Sequence, residues 1–322
     1  MNNELIHYIE HSFLAKLLKD NEVTDISYNG ESLFYLHNTL GRKKSDIDID
    51  KDQITIFIRQ IANLGEKQFS YTVPTLDISE GRYRIHAVHP SIVRVENEKS
   101  ISFDIRIASK ELRIFNDSKF MNIEQKNFLL NALKNNRSIV IGGATGAGKT
   151  ELQKYLLSSL PDYSRIIVID NVQELEFVRT NKNLDITSWQ INPLTPAASI
   201  NELIRNALRS NPDWLVVAES RGKEMNDVLN SVMTGHPIIT TMHAKSLDVM
   251  PHRIVRMIQM SETDEKYEDI MSDLISHIDI YVYVKRIIHD NGVVERFIES
   301  IGEIQNGKLV EIFHHQKVGE NV

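Results

Sequence analysis

The stretch GATGAGKT, residues 143–150, constrains this chain more than any other, because it satisfies the spacing G-x-x-x-x-G-K-[ST] between a β-branched run, SIVIGG, and a helical run, TELQKYLLSSL. Glycines in such a loop let backbone N–H groups turn toward a phosphate, and the helix that follows adds the positive end of its dipole. The cradle would comprise Gly143, Ala144, Thr145, Gly146, Ala147 and Gly148. Lys149 would reach the β- and γ-phosphates of a nucleotide, and the Thr150 hydroxyl would bind Mg²⁺. A glycine-rich turn ahead of a helix explains the glycines but leaves the Lys-Thr ending unexplained.

The rhythm around this loop predicts a parallel sheet. RIIVID, DWLVVAES and PIITTMHA read as apolar strands, and SINELIRNALRS as a helix with Ile200, Leu203, Ile204, Ala207 and Leu208 on one face. Repeated βα units of this kind build a parallel sheet. Earlier in the chain the pattern differs. Residues 23–42 alternate in short apolar segments with turn signals at Asn29-Gly30 and Gly41, and Ile54, Phe57, Ile58 and Ile61 then recur at helical spacing before Gly65. That mixture predicts a smaller α+β domain over 1–114, the connector RIASKELRIFNDSK, and a P-loop α/β domain over 115–322. Asn291-Gly292 and Asn306-Gly307 mark two hairpins in the tail. The opening stretch, MNNELIHYIEHSFLAKLLKD, reads as one amphipathic helix and lacks the uninterrupted apolar core of a signal peptide. No apolar run approaches the roughly 20 residues that span a bilayer, so action at a membrane would be by docking.

Composition narrows the function classes. A formal charge of −7 argues against strong general nucleic-acid binding, which needs a cationic excess. With no cysteine, disulfides and thiolate zinc sites are impossible, which suits a reducing compartment.

Three acidic positions could serve a phosphate site. WLVVAES delivers Glu219 to the C-terminal end of a strand, where ligands of parallel sheets bind, and a carboxylate there can hold Mg²⁺ or accept a proton from a nucleophile. RIIVIDNVQEL ends another strand with Asp170, with Glu174 four residues on, and either could approach the same magnesium. The stretch TGHPIITTMHAKS places His236 and His243 around an apolar run. A metal site there would lack cysteine, helical i, i+4 spacing and a third nearby ligand. A buried, satisfied histidine without function is the more serious alternative, and His236, at the start of the strand, reads as a loop anchor. His7 and His11 have the i, i+4 spacing but read as a solvated helix face.

Taken together, GATGAGKT, RIIVIDNVQEL, LRSNPDWLVVAESRG and TGHPIITTMHAKS resemble the Walker A loop, Asp box, Walker B segment and His box of the hexameric traffic ATPases of type IV secretion and conjugation. The wider superfamily drives type II secretion and type IV or Tad pili. VTDISYNG, PTLDISEGRYRIHAVHP and ISFDIR resemble that family's N-domain, so the likeness covers nearly the whole chain. The resemblance implies a RecA-like ATPase domain, ATP and Mg²⁺ as cofactors, and a homo-oligomeric, hexameric ring. It further implies a cytoplasmic protein peripheral to the inner face of the membrane, partnered by membrane-embedded secretion or pilus components. By the same resemblance Lys149 and Thr150 take the phosphate and Mg²⁺ roles and Glu219 the catalytic or Mg²⁺-organising role. His243 takes the γ-phosphate-linked role, Arg106 a phosphate contact from the N-domain, and Arg82 and Arg84 further charge-stabilising contacts. A pilus assembly or retraction motor would share every motif, and a nucleotide-switched scaffold would bind ATP with little turnover. Three departures stand out: Asp170-Asn171 where Glu-Asp is usual, Ala218 where Gly is usual, and one residue fewer between His236 and His243.

Overall fold

The computed structural model describes residues 2–109, 112–114, 117–170, 175, 183–192, 195–261 and 263–315. The chain divides into two compact units, 1–110 with 288–295, and 111–287 with 296–322. The sequence pattern places one cut near 115; the observed division falls slightly earlier and adds the segment 288–295 to the first unit.

In the first unit the chain begins with α1 (Asn2–Glu10) and α2 (Ala15–Leu18), then β1 (Val23–Tyr28), β2 (Leu33–His37), β3 (Gly41–Lys44) and α3 (Lys51–Leu64). It continues with β4 (Thr75–Glu80), β5 (Tyr83–Val88), the small ribbon of β6 (Arg94–Val95) and β7 (Glu98–Lys99), and β8 (Ser102–Ile107). The main sheet runs β3-β2-β1-β8-β5-β4. Register explains its two faces, since successive strand residues point to opposite sides. Ile26, Ile105, Ile85 and Ile78 lie opposite one another across four strands and are all buried. One residue away, Asp25, Arg106, Arg84 and Ser79 form the corresponding row on the other face. Helix α3 closes the core with Ile54, Phe57, Ile58 and Ile61, and the Asp50 side chain caps it by accepting from Gln53 N. Such a cap is worth about 1 kcal/mol.

The single opening helix expected from the sequence is broken in two. The Ser12 hydroxyl donates to Ile9 O and accepts from Leu14 N, so it supplies a local alternative to the helical ladder. His11 Nδ1 contacts His7 O at 2.8 Å, past the end of α1.

The second unit contains α4 (Ile123–Lys134), β9 (Ile139–Gly143), α5 (Lys149–Ser158), β10 (Arg165–Asp170), β11 (Asp185–Gln190), α6 (Ile200–Leu208) and β12 (Trp214–Val217). After these come α7 (Met225–Met233), β13 (Ile238–His243), α8 (Met250–Gln259), α9 (Tyr267–His277), β14 (Ile280–Ile288), β15 (Val294–Gln305) and β16 (Lys308–His314). The sheet order is β11-β10-β12-β13-β9-β14-β15-β16, parallel from β11 to β14 and antiparallel between β15 and β16. Both faces are covered. Ile139, Ile141, Val168 and Val216 pack with residues of α4 and α5, while Val140, Ile167, Ile169 and Val217 pack with α6, α7, α8 and α9. Strands apolar on both faces therefore read as continuous runs, as parallel strands do. Asn306 and Gly307 both have positive φ, 51° and 74°, as the two-residue β15–β16 turn requires. Among the described residues no helix is long and apolar enough to cross a membrane.

Candidate active site

β9 lies between β13 and β14, paired in parallel with both, and delivers the phosphate loop to the C-terminal ends of the parallel strands. The loop's glycines are needed for two separate reasons. Gly146 and Gly148 have φ of 70° and 102°, the left-handed region where a Cβ is strained. Gly143 packs so tightly on β14 that a Cβ would lie 2.4 Å from Val284 O. Lys149, the first residue of α5, is buried, and its Nζ donates to Gly143 O at 3.1 Å and Ala144 O at 3.0 Å. The ammonium is thus folded over its own loop, beside the N–H groups at the start of α5 that have no intrahelical partner.

The second half of the site comes from β12 and β13. Beyond β12 the chain is strung between neighbouring strands: Ala218 N donates to Ile169 O at 2.9 Å, Ser220 N to Thr241 O at 2.8 Å, and the Thr241 hydroxyl to Ala218 O at 2.7 Å. These bonds fix Glu219 between two backbone anchors. Its Oε2 accepts from Arg221 Nη2 at 2.6 Å. Its Oε1 lies 2.9 Å from His243 Nε2, yet it is buried without an aligned hydrogen-bond donor. The contact is an ion-pair distance without hydrogen-bond direction, so that oxygen keeps its accepting capacity. His243 itself is placed by register, directly opposite Gly143, the first residue of the phosphate loop.

Electrostatics set the protonation of both groups. Burial pushes the Glu219 carboxyl up, but the Arg221 hydrogen bond and the charges of Arg221, His243 and Lys149 together hold it below the ordinary carboxylate value. For His243, burial, Lys149 and Arg221 depress the imidazole, and Glu219 and a Gly143 backbone bond oppose them without prevailing. At neutral pH the pair is a carboxylate beside a neutral imidazole.

The other residues singled out by the sequence separate into groups. Asp170 ends β10, is buried, and accepts from Leu175 N at 3.3 Å; Asn171 and Glu174 lie outside the described residues. His236 makes a turn contact, Nδ1 to the Thr234 hydroxyl at 3.1 Å, and its N–H donates to Ser231 O. Arg82, Arg84 and Arg106 belong to the first unit. Arg84 and Arg106 are exposed and directly opposed across β5 and β8. Arg82 is turned inward: Nη2 donates to Leu18 O, the guanidinium lies 5.1 Å from the Tyr83 ring centroid, and Nε is buried without a hydrogen-bond partner.

Two contributors escape sequence reasoning. Arg221, two residues past Glu219, carries no motif of its own, and only the folded chain turns its guanidinium back onto the carboxylate. Gln153 is fully buried on α5, and its Nε2 donates to Val217 O at 2.9 Å and Ile239 O at 3.2 Å, tying the loop's helix to β12 and β13. A wholly buried glutamine one turn past Lys149 interrupts an apolar face, which is the only signal the sequence carries for it.

Among the described residues no three His, Asp or Glu side chains converge as a protein-only metal cluster. Magnesium does not need one, since it binds through few protein oxygens plus phosphates and water. The Thr150 hydroxyl and the Glu219 carboxylate, with Oε1 buried and lacking a hydrogen bond, are the hard-oxygen chemistry that fits it.

The sequence profile of the family described as Type II/IV secretion system protein matches residues 85–288. An uncharacterized protein of Bacillus anthracis is 28% identical over 282 residues, covering 85% of this chain and 62% of that protein. The type IV secretion system protein VirB11 of Bartonella quintana is 34% identical over 171 residues, 52% of this chain and 48% of its own length. The chain thus spans about half to three-fifths of the curated relatives it matches. Among solved structures, the ATPase DotB of Legionella pneumophila superposes with a TM-score of 0.66 at 19% identity, covering 91% of this chain and 81% of that one. The pilus retraction motor PilT with bound ADP gives 0.63 at 18% identity, covering 88% and 81%. At these identities the likeness concerns the fold alone, an α/β architecture on a mixed, largely parallel sheet.

Proposed function

The chain belongs to the type II/IV secretion system protein family, and on that premise we propose that it is a Mg-ATP hydrolysing motor that works as a homo-oligomeric, hexameric ring on a type IV secretion or conjugation machine. The observation that carries the reading is that Lys149, at the start of the helix after β9, and His243, on β13, both meet Gly143, while Glu219, just beyond β12, lies 2.9 Å from His243. Its site would lie in the cytoplasm, against membrane-embedded components at the inner face.

In this reading the loop N–H groups, the start of α5 and Lys149 bind the β- and γ-phosphates of ATP. Thr150 and Glu219 would hold Mg²⁺, with Asp170 as a further carboxylate; when bound, the cation neutralises charge on the phosphates. Glu219 Oε1 is the acceptor that orients the attacking water. As the new P–O bond forms at the γ-phosphorus, the bond to the β-phosphate oxygen breaks, and the water proton passes to the carboxylate. A weakly basic carboxylate suffices, because a loose transition state asks for positioning more than for early proton removal. His243, 2.9 Å from that oxygen without hydrogen-bond direction, is the ring proposed to sense the γ-phosphate. Arg106, with Arg84 opposite it, is proposed to bring positive charge to phosphate across a subunit boundary. Arg82 contributes less, being committed to Leu18 O and Tyr83.

Phosphate release from Mg-ATP by the purified chain tests the proposal. Turnover that disappears in Lys149→Ala with the fold intact is the expected result, and a chain that binds no ATP would refute it.

A further inference from the structure

Beside the phosphate loop runs a pair of strands that supplies none of the residues proposed above. β14 pairs with β9 in parallel, with Tyr283 opposite Gly142 and Val284 opposite Gly143. Continuing past Val284, β14 carries Arg286 alongside the loop, so near that a Cβ on Gly146 would lie 2.7 Å from its Nη1. The next strand, β15, carries Arg296, whose Nε donates to Gly146 O at 2.7 Å. The Arg296 stem also reaches 3.8 Å from the Cβ position of Gly148. Lys285, in contrast, is paired with Glu299.

We infer that Arg296 is a positioning residue for the phosphate loop, holding the Gly146 peptide with its carbonyl outward, and that Arg286 adds the positive charge this edge of the loop presents to a bound polyphosphate. The chemistry is general. A loop that cradles phosphate works only while its peptide units keep N–H groups inward, and Gly146, at φ 70°, is the residue freest to flip. A charged donor on its carbonyl removes that freedom before the ligand arrives, which lowers the ordering cost of binding. Ala147 N already turns back to Ala144 O at 3.2 Å, so the Arg296 bond closes the exposed side of the same turn. The φ of 70° is what demands glycine at 146, and a side chain there would in addition push the Arg286 guanidinium aside.

The inference rests on the proposed ATP-binding reading, so its test separates the two. Binding of Mg-ATP to the full chain is measured by calorimetry, and hydrolysis by phosphate release, for wild type, Lys149→Ala, Arg296→Ala, Arg296→Lys and Arg286→Ala. Arg296→Ala is expected to raise Kd and KM about ten-fold with a smaller fall in kcat, the loss expected for one charge-assisted bond. Arg296→Lys, which keeps a charged donor, should recover most of that affinity, a rescue that a purely packing role would not give. Arg286→Ala should weaken binding most at low salt, because a half-buried charge within reach of solvent is screened as salt rises. If Arg296→Ala fails to fold, the Lys variant decides: affinity near wild type supports the inference, and affinity no better than one-tenth of it does not. Arg296→Ala binding within two-fold of wild type overturns the inference while leaving the ATPase reading intact. Wild type that binds no ATP overturns the reading itself.

Discussion

Glu219 sits among groups that pull its proton in opposite directions, and the outcome decides what it can do. Burial favours the neutral acid, while Arg221, His243 and Lys149 favour the anion and prevail. The half-exposed setting of Arg221 means its ion pair is screened, so its value lies in orientation more than in stability. Glu219→Gln keeps the shape but removes the charge; kcat should fall about a hundred- to ten-thousand-fold while ATP binding persists. Steady-state phosphate release alongside calorimetric titration checks both halves. His243 gives a pH prediction with a definite sign. Its folded value lies below the ordinary 6.5, so as pH falls through 6.5 the unfolded chain takes the proton first. Its contribution to stability is therefore complete above that pH and declines below it, until the folded imidazole also titrates. Activity that needs the neutral ring should hold to a pH lower than an ordinary histidine would allow. In His243→Ala the acid-side decline in stability between pH 5 and 6.5 should shrink, as read by urea unfolding across that range.

At the scale of elements, backbone geometry ties the site to the fold. Gly148 begins α5 with φ 102° and lies where a Cβ would be 2.9 Å from the Phe120 ring. Gly148→Ala should cost about 1–2 kcal/mol from the left-handed backbone alone, with the ring contact added, and chemical denaturation measures it. Nucleotide affinity should fall with it. Elements whose signal is local were readable in advance: β9, the loop and α5 from one motif, and the strands ending at Asp170 and His243 from continuous apolar runs. The break between α1 and α2 was not, because it turns on whether the Ser12 hydroxyl captures Ile9 O or leaves the ladder alone. Gln153 and Arg296 were unreadable for another reason. Each meets the loop's surroundings through partners 64 to 150 residues away, and only the strand order brings them together.

For the whole molecule, the segment 288–295 lies in the first unit although both strands that flank it extend through the second. Val294 N donates to Thr39 O at 2.8 Å, and a Cβ on Gly41 would lie 2.4 Å from Gly292 O. The tail hairpin was legible from Asn291-Gly292, but its membership in the first unit was not, since no local pattern encodes a docking partner some 250 residues earlier. Arg106→Ala should lower turnover more than it weakens assembly, with light scattering at matched concentrations reporting the oligomer; equal loss of both would assign Arg106 to structure.

Lys149 and Glu219 are proposed to form one hydrolytic site for Mg-ATP, and single-turnover hydrolysis with ATP binding measured on the same samples is the decisive experiment. Wild type should bind and cleave ATP, folded Lys149→Ala should lose binding, and folded Glu219→Gln should bind ATP but leave it uncleaved. Cleavage at the wild-type rate in either variant would refute a shared site.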